Sequence, residues 1–246
     1  MIEHNKTNLG AWLTVGHPQV AEAIGSTGFY NWLAVDIEHS TPSLDQAAAI
    51  FLACDRWKMT PFVRTLGYDP FKMRSFLDAG AKGVIIPVVE NAQQLRDIAE
   101  HLYYPPKGKR GVCLSRMNNW GDQFEEYYND FEPKIIAQIE SKAGVDNIEQ
   151  ILEVEELDGI FVGPYDLSGS LGIPGQFENS ILKESLDKVV SACQKTDKLL
   201  GIHVVAPEPT DLQNKIDQGF NFIAYGTDMI CLRHSIMNTK KQREQR

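Results

Sequence analysis

Glu140 and Asp166 stand about one strand-plus-helix unit apart, each just beyond an apolar run, so a repeating strand–helix chain brings them to neighbouring strand ends. Two carboxylates meeting there repel unless a cation lies between them. With substrate oxygens and water they make the open, all-oxygen environment that Mg2+ or Mn2+ favours. Arg64 ends another apolar run, and its guanidinium offers well-directed donors to a carboxylate or enolate oxygen. His39 lies just past a further run and is the histidine well placed to carry a proton near neutrality. Asp36, Glu38, Gln138, Ser168, His203 and Asp228 fall at equivalent points. The turn Gly163–Pro164–Tyr165–Asp166 adds the backbone N–H groups of Tyr165 and Asp166, which can face an anion; Pro164 has none to offer.

Each residue has a blander reading. Glu140 and Asp166 could cap turns, Arg64 could simply pair with Glu38 or Asp36, and His39 could be a hydrogen-bonded loop residue. His203, inside an apolar strand, reads as a satisfied core histidine, and Asp228 as the cap of the last helix. Convergence on one rim is what favours chemistry.

The elements that must position these residues are eight short apolar runs. Strands are expected near 9–15, 32–37, 60–64, 83–88, 134–139, 159–163, 199–205 and 221–226. Their nearly continuous hydrophobicity suits parallel strands covered on both faces. Helix signals lie between them: Asp69–Pro70 with Gly80 closing that helix, Asn91 opening 91–102, and Asn179 opening a helix to about residue 196. Eight strands alternating with helices predict an α/β chain folded as a (β/α)8 TIM barrel, with its site at the carboxyl ends of the strands. A doubly wound open sheet is the competitor, but no G-x-G-x-x-G follows the first strand. One connection is long: residues 103–133 hold Pro105, Pro106, Gly108 and Gly111, and their aromatics Trp120, Phe124, Tyr127 and Tyr128 predict an ordered cover, a lid or an oligomer contact.

The 246 residues suit one domain spanning 1–246, with a charged, solvated end from about 237. A net charge of −9 argues against a nucleic-acid partner. Neither a signal peptide nor a membrane span is visible. The scattered cysteines Cys54, Cys113, Cys193 and Cys231 read as buried free thiols of a cytoplasmic protein.

The chain resembles the HpcH/HpaI aldolase family from Gly10 to about Leu232. The resemblance is carried by Asp36-Ile37-Glu38-His39, Pro61-Phe62-Val63-Arg64, Phe76-Leu77-Asp78-Ala79-Gly80 and Tyr104-Pro105-Pro106 with Arg110-Gly111. Gln138-Ile139-Glu140 and the run from Asp158 to Ser168 continue it in family order. It implies a barrel of the phosphoenolpyruvate/pyruvate type and reversible retro-aldol cleavage of a 4-hydroxy-2-oxo acid to pyruvate and an aldehyde. It further implies Glu140 and Asp166 as metal ligands, His39 as general base and Arg64 as the residue stabilising developing negative charge. Gln138 and the Tyr165–Asp166 turn would hold pyruvate. Mg2+ or Mn2+ is the expected metal, with Co2+ and Zn2+ as the other candidates. Asp78 matches an aspartate that supports the histidine of a neighbouring subunit, and the implied assembly is a homo-oligomer, a hexamer built as a trimer of dimers. Helix order agrees, since Asp78 ends a helix running antiparallel to its strand and so falls at the far end of the barrel from His39.

Ile37 and the stretch Val112–Asn118 depart from the family pattern, and Ser115 and Arg116 are candidates for a specificity loop. A Schiff-base route would need a strand-end lysine, whereas Lys82 and Lys134 precede their strands. A citrate-lyase-like enzyme acting on a CoA thioester, a phosphoenolpyruvate-type enzyme and a non-catalytic binding module are the alternatives.

Overall fold

In the computed structural model, which describes residues 2–244, eight parallel strands pair in chain order and β1 closes on β8. They are β1 (Asn8–Leu13), β2 (Trp32–Asp36), β3 (Thr60–Arg64), β4 (Gly83–Ile86), β5 (Lys134–Ile139), β6 (Gly159–Val162), β7 (Leu199–Val204) and β8 (Phe222–Thr227). The helices are α1 (Pro18–Gly25), α2 (Leu44–Arg56), α3 (Pro70–Ala79), α4 (Ala92–Leu102), α5 (Phe124–Asp130) and α6 (Lys142–Asp146). After them come α7 (Ile148–Leu152), α8 (Pro164–Ser170), α9 (Ser180–Cys193), α10 (Pro209–Asp217) and α11 (Asp228–Glu244). This is the TIM barrel that the spacing of apolar runs predicts.

Side chains alternate across each strand, and the alternation sorts them into two cores. Leu33, Val35, Val63, Ile135, Ala137, Ile139, Ile160, Val162, Leu200 and Ile202 point outward and pack with the helices. Trp12, Trp32, Ala34, Phe62, Ile85, Ile136, Phe161, Leu199, Phe222 and Ala224 fill the barrel. Large inner residues fit because glycines face them. A Cβ on Gly10 would strike the Trp32 indole, and one on Gly201 would come within 2.5 Å of the Phe161 ring. Trp32 then stacks on Phe222 with centroids 4.2 Å apart, closing the lower barrel. The same parity puts Asp36, Arg64, Gln138 and His203 one layer above these residues, facing inward at the carboxyl ends.

The helix starts follow the predicted caps. Asp69 accepts from the N–H groups of Phe71 and Lys72 at 3.0 and 3.2 Å. Asn91 and Gln94 form a reciprocal capping box that satisfies two otherwise free donors.

Two expectations change. The long connection is ordered, with a 3-10 segment at Arg116–Gly121 followed by α5, but it joins a helix to the next strand and therefore lies at the amino end of the barrel. Arg116 shows this directly, donating to the Ala79 carbonyl at 3.1 Å and to Asp55 at 2.5 Å, both at the ends of helices that run away from the site. Neither a lid over its own barrel nor a role for Ser115 and Arg116 in that site is compatible with this placement. The expected solvated end is exposed as far as it is described, α11 reaching Glu244 with no buried residue, and residues 245–246 lie outside the described residues. All four cysteines are free, but only Cys54 and Cys193 are buried; Cys113 is exposed. No helix among the described residues is long and apolar enough to cross a membrane.

Candidate active site

Arg64 is the centre of the top layer. Its Nε and Nη2 donate to the two oxygens of Asp36 at 2.9 and 2.7 Å, a bidentate pair between neighbouring strand ends. Nη1 lies 3.1 Å from Glu38, and the guanidinium carbon sits 4.9 Å from the centroid of the Trp12 ring. Burial works against the charge on Arg64, but Asp36, Glu38 and Glu140 outweigh it and hold the guanidinium above its ordinary pKa. Burial likewise raises Asp36, and the Arg64 hydrogen bonds and charge reverse that, leaving the carboxyl below its usual range. Asp36 also accepts from the N–H groups of Glu38 and His39 at 3.1 and 3.4 Å, shaping the turn that carries both.

Glu140 leaves the end of β5 and is 5 % exposed. One oxygen accepts from the Val88 N–H at 2.8 Å, and the other from the Gln138 side-chain amide. Burial pushes its pKa up; those two donors oppose the shift, and the charges of Asp166 and Glu38 reinforce it. Glu38 is raised by burial too, with Arg64 opposing. Asp166 sits in the first turn of α8, one strand along from Glu140, as the spacing predicts. Among the described residues no three His, Cys, Asp or Glu side chains gather as a closed metal site. Glu140 and Asp166 are the two carboxylates at adjoining strand ends here.

The residues fit a hard divalent cation on two counts. Gly163 keeps space beside Glu140, since a Cβ there would lie 2.7 Å from a Glu140 oxygen. The Gln138 carbonyl oxygen is buried without a partner next to it, in an all-oxygen donor set. Val88 completes the support. It holds φ of 52°, an unfavourable backbone for a β-branched residue, while its N–H donates to Glu140 and its carbonyl accepts from the Tyr68 hydroxyl.

His39 is two-thirds exposed, and its Nε2 lies 3.9 Å from Glu38. Tyr165 is exposed and packs edge-on against Phe177 with centroids 4.7 Å apart. Asp78 is not in this cluster. It lies at the amino end, where it accepts from Arg110 at 2.6 Å. Ser168 is buried and ties the Tyr165 carbonyl to the Gly175 N–H, at 2.6 and 2.9 Å. Asp228 is the first residue of α11 and accepts from the N–H of Met229, and it also accepts from Thr14 and Val15, latching the loop after β1. Lys134 pairs with Asp158 at 2.7 Å and Lys82 lies over Phe131, both at the amino end and remote from any Schiff-base role here. Surface clefts beside α4 and between α7 and α9 gather no comparable chemistry.

Residues 8–235 match the HpcH/HpaI aldolase/citrate lyase family. A hydroxypyruvate/pyruvate aldolase from Chromohalobacter salexigens is 34% identical over 95% of this chain and 92% of its own. The chain belongs to the HpcH/HpaI aldolase/citrate lyase family. A 2-keto-3-deoxy-L-rhamnonate aldolase from Shigella sonnei is 32% identical over 92% of this chain and 85% of its own. The crystal structure of an HpcH/HpaI aldolase/citrate lyase family protein from Burkholderia cenocepacia superposes with a TM-score of 0.90 at 26% identity, covering 97% and 95% of the two chains. This HpcH/HpaI protein is accordingly an aldolase, a carbon–carbon lyase.

Two parts of the aldolase site were not read from its sequence. Trp12 lies within the first apolar run, and counting inward positions along β1 puts it beneath Arg64. Val88 carries no signal, because its contribution is a backbone N–H.

Proposed function

We propose that this aldolase cleaves a 4-hydroxy-2-oxo acid reversibly to pyruvate and an aldehyde, using Mg2+ or Mn2+ held by Glu140 and Asp166. The carrying observation is electrostatic. Asp36 and Glu38 pair directly with the Arg64 guanidinium, and Glu38 and Glu140 each also feel the charge of Asp166. Such a site repels an anionic keto acid unless a divalent cation offsets it. The names and identities of the relatives support pyruvate as the product.

In cleavage, His39, directly or through a water, takes the proton of the C4 hydroxyl. The electrons of the C3–C4 bond then collapse into pyruvate enolate as the aldehyde leaves. Arg64 donates to the oxygen on which negative charge grows, and the Trp12 ring beneath it keeps the guanidinium in plane. Gln138 and the amides of Tyr165 and Asp166 orient the carboxylate end. A bound divalent cation supplies Lewis-acid stabilisation of the same developing charge. In synthesis His39 removes a proton from the pyruvate methyl group.

Asp78 cannot reach His39 within one chain, so support for that histidine comes from a second copy, in a homo-oligomer for which a hexamer as a trimer of dimers is the expected form. Exposed apolar side chains on α11 (Met229, Ile230, Leu232, Ile236) and at the amino end (Leu114, Trp120) support assembly.

The test is pyruvate release from a panel of 4-hydroxy-2-oxo acids by EDTA-treated protein, Mg2+- or Mn2+-restored protein and metal-loaded Glu140→Gln. Metal-dependent release lost in the variant is the expected result. Metal-independent release contradicts the mechanism, and turnover confined to CoA thioesters transfers the reading to a citrate-lyase-like enzyme.

A further inference from the structure

His203 on β7 was read from sequence as a core histidine, and its hydrogen bond to the main chain fits that. Its position says more. The parity of β7 turns it into the barrel, in the top layer with Trp12 and Arg64, and it is half-buried there. Its ring stacks on the Trp12 ring with centroids 5.1 Å apart and planes at 29°. Arg64 covers the same indole at 4.9 Å, so the three side chains form a row running from the guanidinium to the wall at β7.

The protonation pattern of the ring follows from its partners. Nε2 lies 3.2 Å from the Gly226 carbonyl oxygen and 3.5 Å from the Thr227 hydroxyl. A carbonyl only accepts, so Nε2 carries the proton and Nδ1 is left with a lone pair. Burial favours this neutral form, bringing the pKa down to about 4, and the Arg64 charge adds to the shift. Nδ1 makes no hydrogen bond among the described residues. A neutral, acceptor-only nitrogen at the end of an aromatic row calls for a neutral donor, and a hydroxyl group is the donor an aldehyde substituent can bring.

We propose that His203 is a specificity-determining residue whose Nδ1 accepts a hydrogen bond from a hydroxyl on the aldehyde half of the substrate. The chain then prefers hydroxyaldehydes to alkyl aldehydes of the same carbon length. This rests on the aldolase reading above, in which Arg64 donates to the pyruvate half, and it places the aldehyde half on the row that Arg64 shares with Trp12 and His203.

The experiment measures aldol formation from pyruvate with 2-hydroxypropanal and with propanal, as the ratio of the two kcat/KM values. Metal-loaded unsubstituted protein is compared with His203→Phe, which keeps a ring on Trp12 without the acceptor, and His203→Asn, which keeps an acceptor without the ring. The ratio should fall about 3- to 10-fold in the Phe variant, the value of one hydrogen bond, and less in the Asn variant. An unchanged ratio in His203→Phe overturns the proposal. So does an equal fall in both variants, which would assign the effect to the stack. Failure of the underlying reading shows separately, as no aldol from either aldehyde with the unsubstituted protein, and it takes this proposal with it.

Discussion

Arg64 at the carboxyl end of the barrel and Arg110 at the amino end are both buried guanidiniums resting on aromatic rings, and they differ in what surrounds them. Arg64 has Asp36 on two nitrogens and Glu38 beside the third, with Glu140 adding to the negative field. Arg110 is fully buried between Tyr104 and Phe131 and has one carboxylate, Asp78, on one nitrogen; its Nε and Nη1 have no hydrogen-bond partner among the described residues. The first arginine sits in an excess of negative charge at an open rim, and its Glu38 contact can be exchanged for a substrate oxygen. The second has less than it can use and no access to water, so it depends on Asp78 for its place in the fold. Surplus partners at an accessible site favour chemistry, whereas the enclosed Arg110 favours a structural role that leaves the one-third-exposed Asp78 carboxylate accessible to a second copy.

The sharpest way to break this contrast is at Asp78. Asp78→Ala strands a buried guanidinium and should lower unfolding stability by about 3–5 kcal/mol, read from urea denaturation. Arg110→Met should cost clearly less, because Asp78 is about one-third exposed and can turn to water. Equal losses in the two variants would remove the distinction. At the other end, Arg64→Lys keeps the charge but loses the fork that grips Asp36. It should reduce kcat for cleavage about 100- to 1,000-fold, the cost of removing one aligned donor to a developing oxyanion.

Gly163→Ala tests the space beside Glu140. Calorimetric titration with Mn2+ should show affinity about 10- to 100-fold weaker, as for a disturbed support around a metal ligand. The smallest effect concerns pH. The His203 pKa lies near 4 in the folded chain against an ordinary value of 6.5, so the unfolded chain binds the extra proton between those values. The stability linked to His203 is therefore complete above pH 6.5 and lost as pH falls towards 4, by about 1–3 kcal/mol. His203→Phe should flatten that limb in melts across this range; an unchanged limb would mean that His203 is protonated in the folded chain.

Much of this layout was legible in the sequence. The eight apolar runs, the caps at Asp69 and Asn91, and the one-unit spacing of Glu140 and Asp166 are local signals, and a barrel converts them directly into positions. Even the placement of residues 103–133 at the amino end could have been read from element order alone, because a connection leading from helix to strand always returns there. The Arg110–Asp78 pair was not legible, since it joins distant segments through tertiary packing. Nor was the role of Val88, whose side chain does nothing that its type could reveal. His203 falls between: its apolar neighbours suggest core, and only strand parity shows which core it faces.

In the proposed mechanism the strand-end carboxylates and Arg64 stabilise pyruvate enolate with a divalent cation. Its most direct test is solvent-deuterium exchange into the methyl group of pyruvate without aldehyde, followed by NMR. Exchange is expected with Mg2+ or Mn2+, stopping with EDTA and lost in metal-loaded Glu140→Gln. Exchange at the same rate after metal removal, or in that variant, would contradict it.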